Sequence, residues 1–180
     1  MDSVTLCSKI QALRRKNAYG QSYIPELSLL RLITRDAVHA ELKRGNVSRY
    51  LLDELTTTII TSARKVFSIL VLVDNVALVK DFMEDNWLQD HCLPLSLDVL
   101  ANFGDATALK FRKWQWEFLS PKFNRTTIYK TIASSAVLPF LADEKFGDGG
   151  FGTVYKISLD PDHQAFEAGF PKQVLSLVAF

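Results

Sequence analysis

The residues whose types and spacing could carry chemistry lie near the end of the chain, where glycine recurs at short intervals. The stretch Gly147-Asp-Gly-Gly-Phe-Gly-Thr-Val154 has the spacing G-x-G-x-x-G-x-V. Glycine has no Cβ, so the backbone N–H groups of such a loop can come close to the phosphates of a nucleotide. The pattern therefore predicts a phosphate-binding loop.

Two other nucleotide-binding loops share part of this spacing, and the flanking residues argue against both. A dinucleotide-binding loop opens a helix whose N-terminus holds the pyrophosphate, whereas residues 153–159 alternate as a strand does. The loop G-x-x-x-x-G-K-[ST] needs a lysine where this chain has Thr153. Residues 138–146 can form a partner strand, and a turn at 160–162 follows the second strand. The glycines are therefore predicted at the tip of an antiparallel hairpin.

This strand, loop and strand resemble the glycine loop of eukaryotic-type protein kinases. The resemblance implies that the nucleotide is ATP, bound with magnesium in a complete kinase. It also implies that Phe151 covers the phosphates, that Val154 packs on the adenine, and that Phe146 caps the nucleotide where kinases usually have Leu or Ile. The implied ATP-binding residues are Phe146, Gly147, Asp148, Gly149, Gly150, Phe151, Gly152 and Val154. The alternative, a glycine-rich β-turn without a ligand, is disfavoured by Phe151, Val154 and the following Tyr-Lys pair.

The catalytic groups of a kinase are missing from the residues around this loop. Phosphoryl transfer needs a phosphate-binding lysine, a glutamate that holds it, metal ligands and an Asp near the substrate hydroxyl. The pairs Arg35-Asp36 and Asp81-Phe82 precede the loop and are expected to be ordinary helix residues. Val178-Ala179-Phe180 has the form of the V-A-x-K strand that carries the lysine, so we expect a sequence cut one residue short of it. The chain alone is predicted to bind ATP weakly and not to catalyse.

A second stretch, Gln115-Trp116-x-Phe118-x-x-Pro121-x-Phe123, resembles one that precedes the kinase domain in a group of fungal protein kinases. That resemblance implies serine/threonine specificity, a protein substrate for the full-length form, and a helical region that regulates or localises the kinase. The alternative is a non-catalytic module whose helices bind a protein partner. From the residues alone we expect Trp114, Phe118 and Leu119 to pack into the core, with Trp116 facing outward or towards the kinase strands.

The elements that would position these residues fall into two regions, which predict an α+β fold. Residues 1–136 read as mostly helical, and residues 137–180 as the first antiparallel strands of a kinase small lobe, with a boundary near Val137 where proline and glycine accumulate. A strand remains an alternative at Thr56–Ile60 because that run is β-branched. Apolar residues at helical spacing predict helices at 25–45, from Ser48 to about 60, at 66–83, at 97–103 and at 111–119.

Composition limits the partners and the compartment. The 21 Lys and Arg residues against 20 Asp and Glu residues leave a net charge of +1, so neither nucleic acid nor a membrane surface is expected to bind. Cys7 and Cys92 are far apart, which indicates neither a disulfide nor a zinc site. The N-terminus lacks the pattern of a secretory signal, and the longest apolar run, 66–73, is short for a membrane span. We therefore expect a cytoplasmic, soluble protein.

Other charged residues carry no predicted chemistry. The histidines at 39, 91 and 163 are isolated from one another and are expected at the surface or the edge of the core. The basic run Arg14-Arg15-Lys16 is expected to be a solvated face.

Overall fold

The chain forms an α+β structure in which helices dominate the first two thirds. A computed structural model describes residues 5–124, 133–149, 152–165 and 175–179, with side chains described at 5–124, 133–147 and 153–165. The α-helices within these ranges are α1 (Leu6–Ala12), α2 (Glu26–Leu32), α3 (Arg35–Arg44), α4 (Leu52–Ser62), α5 (Arg64–Leu72), α6 (Val79–Glu84), α7 (Leu97–Ala101) and α8 (Asp105–Gln115). The strands are β1 (Arg15–Lys16), β2 (Ser22–Tyr23), β3 (Phe123–Asn124), β4 (Phe140–Gly149), β5 (Gly152–Leu159), β6 (Gln164–Ala165) and β7 (Leu175–Ala179).

The helices enclose the main hydrophobic core. Its buried members run from Leu6 to Phe118. Helix α5 lies at its centre, because every residue from Val66 to Val71 is buried. The almost continuous apolar run of α5 has no polar face because neighbouring helices surround it. Burial of these apolar side chains, rather than intrinsic helix propensity, stabilises a helix as short as α5.

The helix predicted at 25–45 is two helices, so this prediction was wrong in its continuity. Helix α2 ends at Leu32, and α3 begins at Arg35. Between them Thr34 has an extended backbone, and its hydroxyl accepts a hydrogen bond from the N–H of Ala37. A threonine that caps a helix interrupts the preceding one even where the apolar spacing continues. The predicted end is confirmed, because Gly45 follows the last residue of α3.

The helix predicted at 66–83 is also interrupted. Helix α5 ends at Leu72, a turn with Asp74 at φ 55° follows, and a 3₁₀ turn leads into α6. A left-handed residue cannot continue an α-helix, and Asp tolerates that conformation better than most residues. The predicted helix is therefore interrupted at Asp74-Asn75, which the apolar spacing does not indicate.

The remaining helix predictions are confirmed with shifted ends. The β-branched run Thr56–Ile60 is helical, within α4. Ser48 precedes a 3₁₀ turn that leads into α4, without a side-chain capping bond. Ser96 caps α7 by accepting from the N–H of Val99. Helix α8 begins at Asp105, before the predicted start at 111. Its N-cap is Gly104, at φ 93°, whose carbonyl accepts from the N–H of Ala108.

The strands form small sheets beside the helices. A sheet in the order β4-β5-β7 has antiparallel neighbours throughout, β1 pairs with β2 antiparallel, and β3 pairs with β6 in parallel. A second apolar cluster joins Phe123, Phe140, Ile157 and Leu159 at the base of the larger sheet. No single helix in the described ranges is long and apolar enough to cross a membrane. The pair Arg49–Ser62 and Arg64–Leu72 meets that test only jointly, with a bend of 111° between its members.

Candidate functional site

The glycines lie at the tip of an antiparallel hairpin, as the sequence predicted. Strand β4 pairs with β5 in a register that opposes Gly147 to Val154 and Gly149 to Gly152. The first strand runs from Phe140 to Gly149 instead of ending at 146, so two of the glycines belong to the strand itself. Gly150 and Phe151 lie outside the described residues, as does the side chain of Asp148. The strand after the loop rules out the helix that a dinucleotide-binding loop requires.

A β-bulge places Phe146 beside the glycines. The register shifts between Lys145, which opposes Tyr155, and Gly147, which opposes Val154, so Phe146 is the extra residue. Alternation from Lys145 puts Phe146 on the same face as Val154. Phe146 is 79% exposed, and Val154 is half-buried. This end of the hairpin therefore presents apolar side chains that no described residue covers completely.

No contact with the part of the chain that the structure describes requires glycine at Gly147. Among the described residues, no heavy atom lies within 4 Å of the position that a Cβ would occupy at Gly147. Its backbone is not left-handed either, unlike that of Gly20 and Gly104. Neither packing against the described residues nor backbone conformation thus selects glycine here, and an open backbone is what close approach of a ligand requires.

A third strand extends the hairpin into a sheet. Strand β7 pairs with β5 antiparallel, and Val154 lies opposite Val178. A third strand was expected here from the Val178-Ala179-Phe180 pattern, and Leu175–Ala179 is a strand. The side chains of β7 and all of Phe180 lie outside the described residues. Strand β5 therefore lies between β4 and β7 in the sheet.

The short hairpin β1–β2 holds the base of β4. The N–H of Ala18 donates to the carbonyl of Phe140 at 2.7 Å, and the amide of Asn17 donates to the carbonyl of Leu138 at 3.0 Å. The phenol of Tyr19 donates to Asp143 at 2.8 Å. Partial burial and this hydrogen bond raise the pKa of Tyr19 to about 12. These contacts fix the direction in which the glycine tip projects.

The turn after β5 is anchored by a buried carboxylate. Asp160 is completely buried, and Arg15 Nη1 donates to both of its oxygens at 2.9 and 2.8 Å. The phenol of Tyr23 donates to the same carboxylate at 2.6 Å, and the N–H of Asp162 at 2.9 Å. Burial alone would raise the pKa of Asp160, but these hydrogen bonds and the Arg15 charge outweigh it and lower that pKa. The carboxylate is therefore ionised in the folded protein. A buried charge with this many donors is stable in its site.

Two neighbours of Asp160 complete the attachment, which we call the Asp160 anchor (Arg15, Tyr23, Asp160, Asp162 and His163). Asp162 accepts from the hydroxyl of Ser28 on α2 and lies 3.4 Å from Arg15 Nη2. The ring of His163 is buried, with Nδ1 3.2 Å from the carbonyl of Pro121 and an edge contact to Tyr23. Burial lowers the pKa of His163, against the opposing effects of the Pro121 carbonyl and Asp160.

Local sequence patterns do not predict the Asp160 anchor. The basic run Arg14-Arg15-Lys16 is exposed, as expected of a solvated face, but its first two members also form ion pairs. Arg15 forms an ion pair with Asp160. Arg14 forms a bidentate ion pair with Glu117, and its guanidinium lies 4.9 Å from the ring centre of Trp114. The stretch Asp160-Pro161-Asp162 predicts only a turn. Its partners are more than a hundred residues away in sequence, so no local pattern could reveal them.

The residues that mimic kinase motifs are helix residues, as predicted. Arg35 is the first residue of α3 and lies 3.6 Å from Asp53. Asp81 and Phe82 belong to α6, where Phe82 is fully buried. In the described part of the chain, no group of at least three His, Cys, Asp or Glu side chains is placed to hold a metal ion.

The comparisons with known proteins add no identification. No protein-family model, no curated protein and no solved structure matches this chain. The function proposed below is inferred from the geometry of the hairpin and from the sequence.

Proposed function

We propose that the β4–β5 hairpin is the ATP-covering loop of a protein serine/threonine kinase. The observation that carries the proposal is the open backbone at Gly147, because nothing in the described fold requires glycine there. The glycine spacing, the strand on either side of the tip and the apolar pair Phe146 and Val154 support the same proposal. Serine/threonine specificity rests on the resemblance of the 115–123 stretch to fungal kinases.

Each group of the loop has a proposed part in holding the nucleotide. The backbone N–H groups of Gly147, Gly149 and Gly152 are the proposed phosphate ligands, since glycine has no Cβ to block the approach of a phosphate. Val154 packs against the adenine, and Phe146 excludes water from it. ATP itself supplies the phosphoryl group that a complete kinase transfers to a protein hydroxyl. We assign no magnesium ligand to the described residues, and the chain alone is proposed to bind ATP without transferring phosphate.

An NMR titration of the 180-residue chain with magnesium and ATP tests the binding. We expect weak, saturable shifts at the amides of Gly147, Gly149 and Val154. The variant G147A places a methyl group where phosphate is proposed to approach, and it should lose these shifts while keeping the spectrum of a folded protein. Binding by G147A equal to that of the original chain would show that the open backbone at Gly147 has no role in binding, and it would contradict the proposal.

Reading the transcript onward from the codon for Phe180 tests the kinase class separately. A kinase requires a lysine in the third strand, followed by H-R-D and D-F-G elements. We expect these to follow. A stop codon directly after Phe180 in every transcript would contradict an active kinase while leaving nucleotide binding by the hairpin open.

A second candidate is a non-catalytic interaction module formed by the helices. The observation in its favour is that the buried members of the main core all lie between Leu6 and Phe118, so the described helices do not depend on the hairpin for their core. No nucleotide shifts at the loop, together with partner binding at the helices, would favour this candidate over the first.

A further inference from the structure

The helical region carries an open groove on its surface. It lies between the segment that leads into α7 and the last turn of α8, and its volume is about 410 Å³. No residue of β4 or β5 lines it. We call it the Trp116 groove, and its lining residues are Pro94, Leu95, Ser96, Leu97, Arg112, Gln115 and Trp116.

The walls of the Trp116 groove are held together by a buried amide. The side chain of Gln115 accepts from the N–H of Leu95 at 2.9 Å and donates to the carbonyl of Leu95 at 3.1 Å. Both residues are buried, Gln115 at 1% exposure and Leu95 at 4%. Because both backbone groups of Leu95 are satisfied by one side chain, the segment cannot move away from α8 without breaking two buried hydrogen bonds. The groove is therefore preformed, which lowers the entropy cost of binding.

The exposed residues of the groove are of the types that anchor protein interfaces. Trp116 is only half-buried, and Leu97 is 36% exposed. Leu109, which is 63% exposed, lies on the same face of α8 one turn before Arg112. Tryptophan and arginine are enriched among the residues that dominate binding energy, and exposed leucines beside them extend the apolar area. An apolar side chain of a partner would thus find aromatic and aliphatic surface here.

The charged residue that lines the groove is a cation. Arg112 is one of its lining residues and Lys113 is the next residue on α8, and in the part of the chain that the structure describes neither forms an ion pair. Neither Lys113 nor Asp98, the acidic residue of α7, is itself a lining residue, so Arg112 is the charge closest to a bound ligand. A ligand with carboxylates beside its apolar anchor would pair with these cations, whereas a basic ligand would be repelled.

We propose that the Trp116 groove binds a short segment of a partner protein in which acidic side chains flank an apolar anchor. The apolar anchor contacts Trp116 and Leu97, and the carboxylates pair with Arg112 and Lys113. A second copy of this chain fits less well, because a two-fold interface on this face would oppose the same cations to one another. The inference does not depend on nucleotide binding by the hairpin.

Fluorescence anisotropy with labelled model peptides tests the proposal. The probe is a Leu-Glu peptide, and the matched controls are a Leu-Lys peptide and a Ser-Glu peptide of the same length. We expect the Leu-Glu peptide to bind at least tenfold more tightly than either control. The double charge reversal R112E/K113E should abolish that preference, whereas R49E, at an exposed arginine on the 3₁₀ turn before α4, should leave it unchanged.

The position of binding is checked by the indole N–H signal of Trp116, assigned from the variant W116F. This signal should shift on addition of the Leu-Glu peptide, and the thermal unfolding of each variant shows whether it is folded. Equal affinity for the three peptides, or a Leu-Glu complex that leaves the Trp116 signal in place, would overturn the proposal. Dimerisation detected by sedimentation and abolished by R112E/K113E would overturn it in favour of a second copy as occupant.

Discussion

The phenol of Tyr23 donates a 2.6 Å hydrogen bond to the carboxylate of Asp160, and both residues are completely buried. Tyr23 belongs to β2, beside the helical region, and Asp160 follows β5 at the base of the glycine hairpin. The bond therefore joins two parts of the chain that the sequence divides near residue 137. The base of the proposed ATP-covering loop is therefore attached to the helical region by this bond.

Removal of this phenol should destabilise the attachment. In Y23F the buried carboxylate loses one of its donors, and a hydrogen bond to a charged group contributes about 1.5–3 kcal/mol to stability. We expect the free energy of unfolding in urea to fall by that amount. The matched control is Y50F, because Tyr50 is 95% exposed and its hydroxyl has no partner among the described residues. Equal stability of Y23F and Y50F would show that the Tyr23–Asp160 hydrogen bond contributes nothing to the free energy of unfolding.

Acid should weaken the same attachment in two steps. Burial lowers the pKa of His163 from 6.5, so the unfolded chain binds its proton first and stability falls as the pH drops below about 6.5. The lowered pKa of Asp160 adds a second loss below the unfolded value of 3.8, as that carboxylate is protonated. Around His163, Asp160 and Glu26 favour the imidazolium and Lys65 opposes it, but burial outweighs them. Urea unfolding at a series of pH values measures both losses.

The variant H163Q isolates the first step. Among the described residues Nε2 of His163 has no hydrogen-bond partner, so protonation there would place an unsatisfied charge in the interior. H163Q has no group that titrates in this range, so the dependence of stability on pH between 7 and 5 should become flatter. H91Q, at an exposed histidine, is the control and should keep the original slope. An unchanged slope in H163Q would assign the acid sensitivity to another group.

The features predicted correctly depend on neighbours in sequence. The hairpin follows from alternating residues on both sides of Gly147–Gly152, and α4 follows from leucine and isoleucine at helical spacing. Breaks within long apolar runs were missed because a capping threonine at 34 and a left-handed aspartate at 74 leave the apolar period intact. The sequence therefore predicts that elements exist more reliably than where they end.

The attachment of the hairpin could not be predicted because it depends on distant pairs. Arg15 and Asp160 are 145 residues apart, and Tyr19 and Asp143 are 124 apart. An arginine in a basic run and an aspartate in a turn are each ordinary at the surface. Only the fold brings them together, and only burial makes their contact important for stability.

The substitution G147A separates a ligand role from a structural one. Because an added Cβ meets no described atom within 4 Å, alanine fits, and stability should rise by roughly 0.5–1 kcal/mol as the unfolded chain loses freedom. G104A also meets open space, but Gly104 has φ +93°, so alanine there should cost about 1–2 kcal/mol. Thermal unfolding compares the two variants. Destabilisation by G147A would show that the fold requires this glycine and would remove the argument for a ligand.

A buried hydroxyl in α4 offers a test of the main core. Thr56 is fully buried, and its Oγ1 has no hydrogen-bond partner among the described residues. T56V replaces that hydroxyl with a methyl group of similar size, which removes an unsatisfied polar group and adds apolar contact. We expect the free energy of unfolding to rise by about 1 kcal/mol, the lower end of what an unsatisfied buried group costs. T61V in the same helix is the control, because exposed Thr61 donates to the carbonyls of Thr57 and Thr58 and gains no buried contact. If T56V is less stable than the original chain, Thr56 has a partner that these contacts do not include, and α4 packs differently in solution.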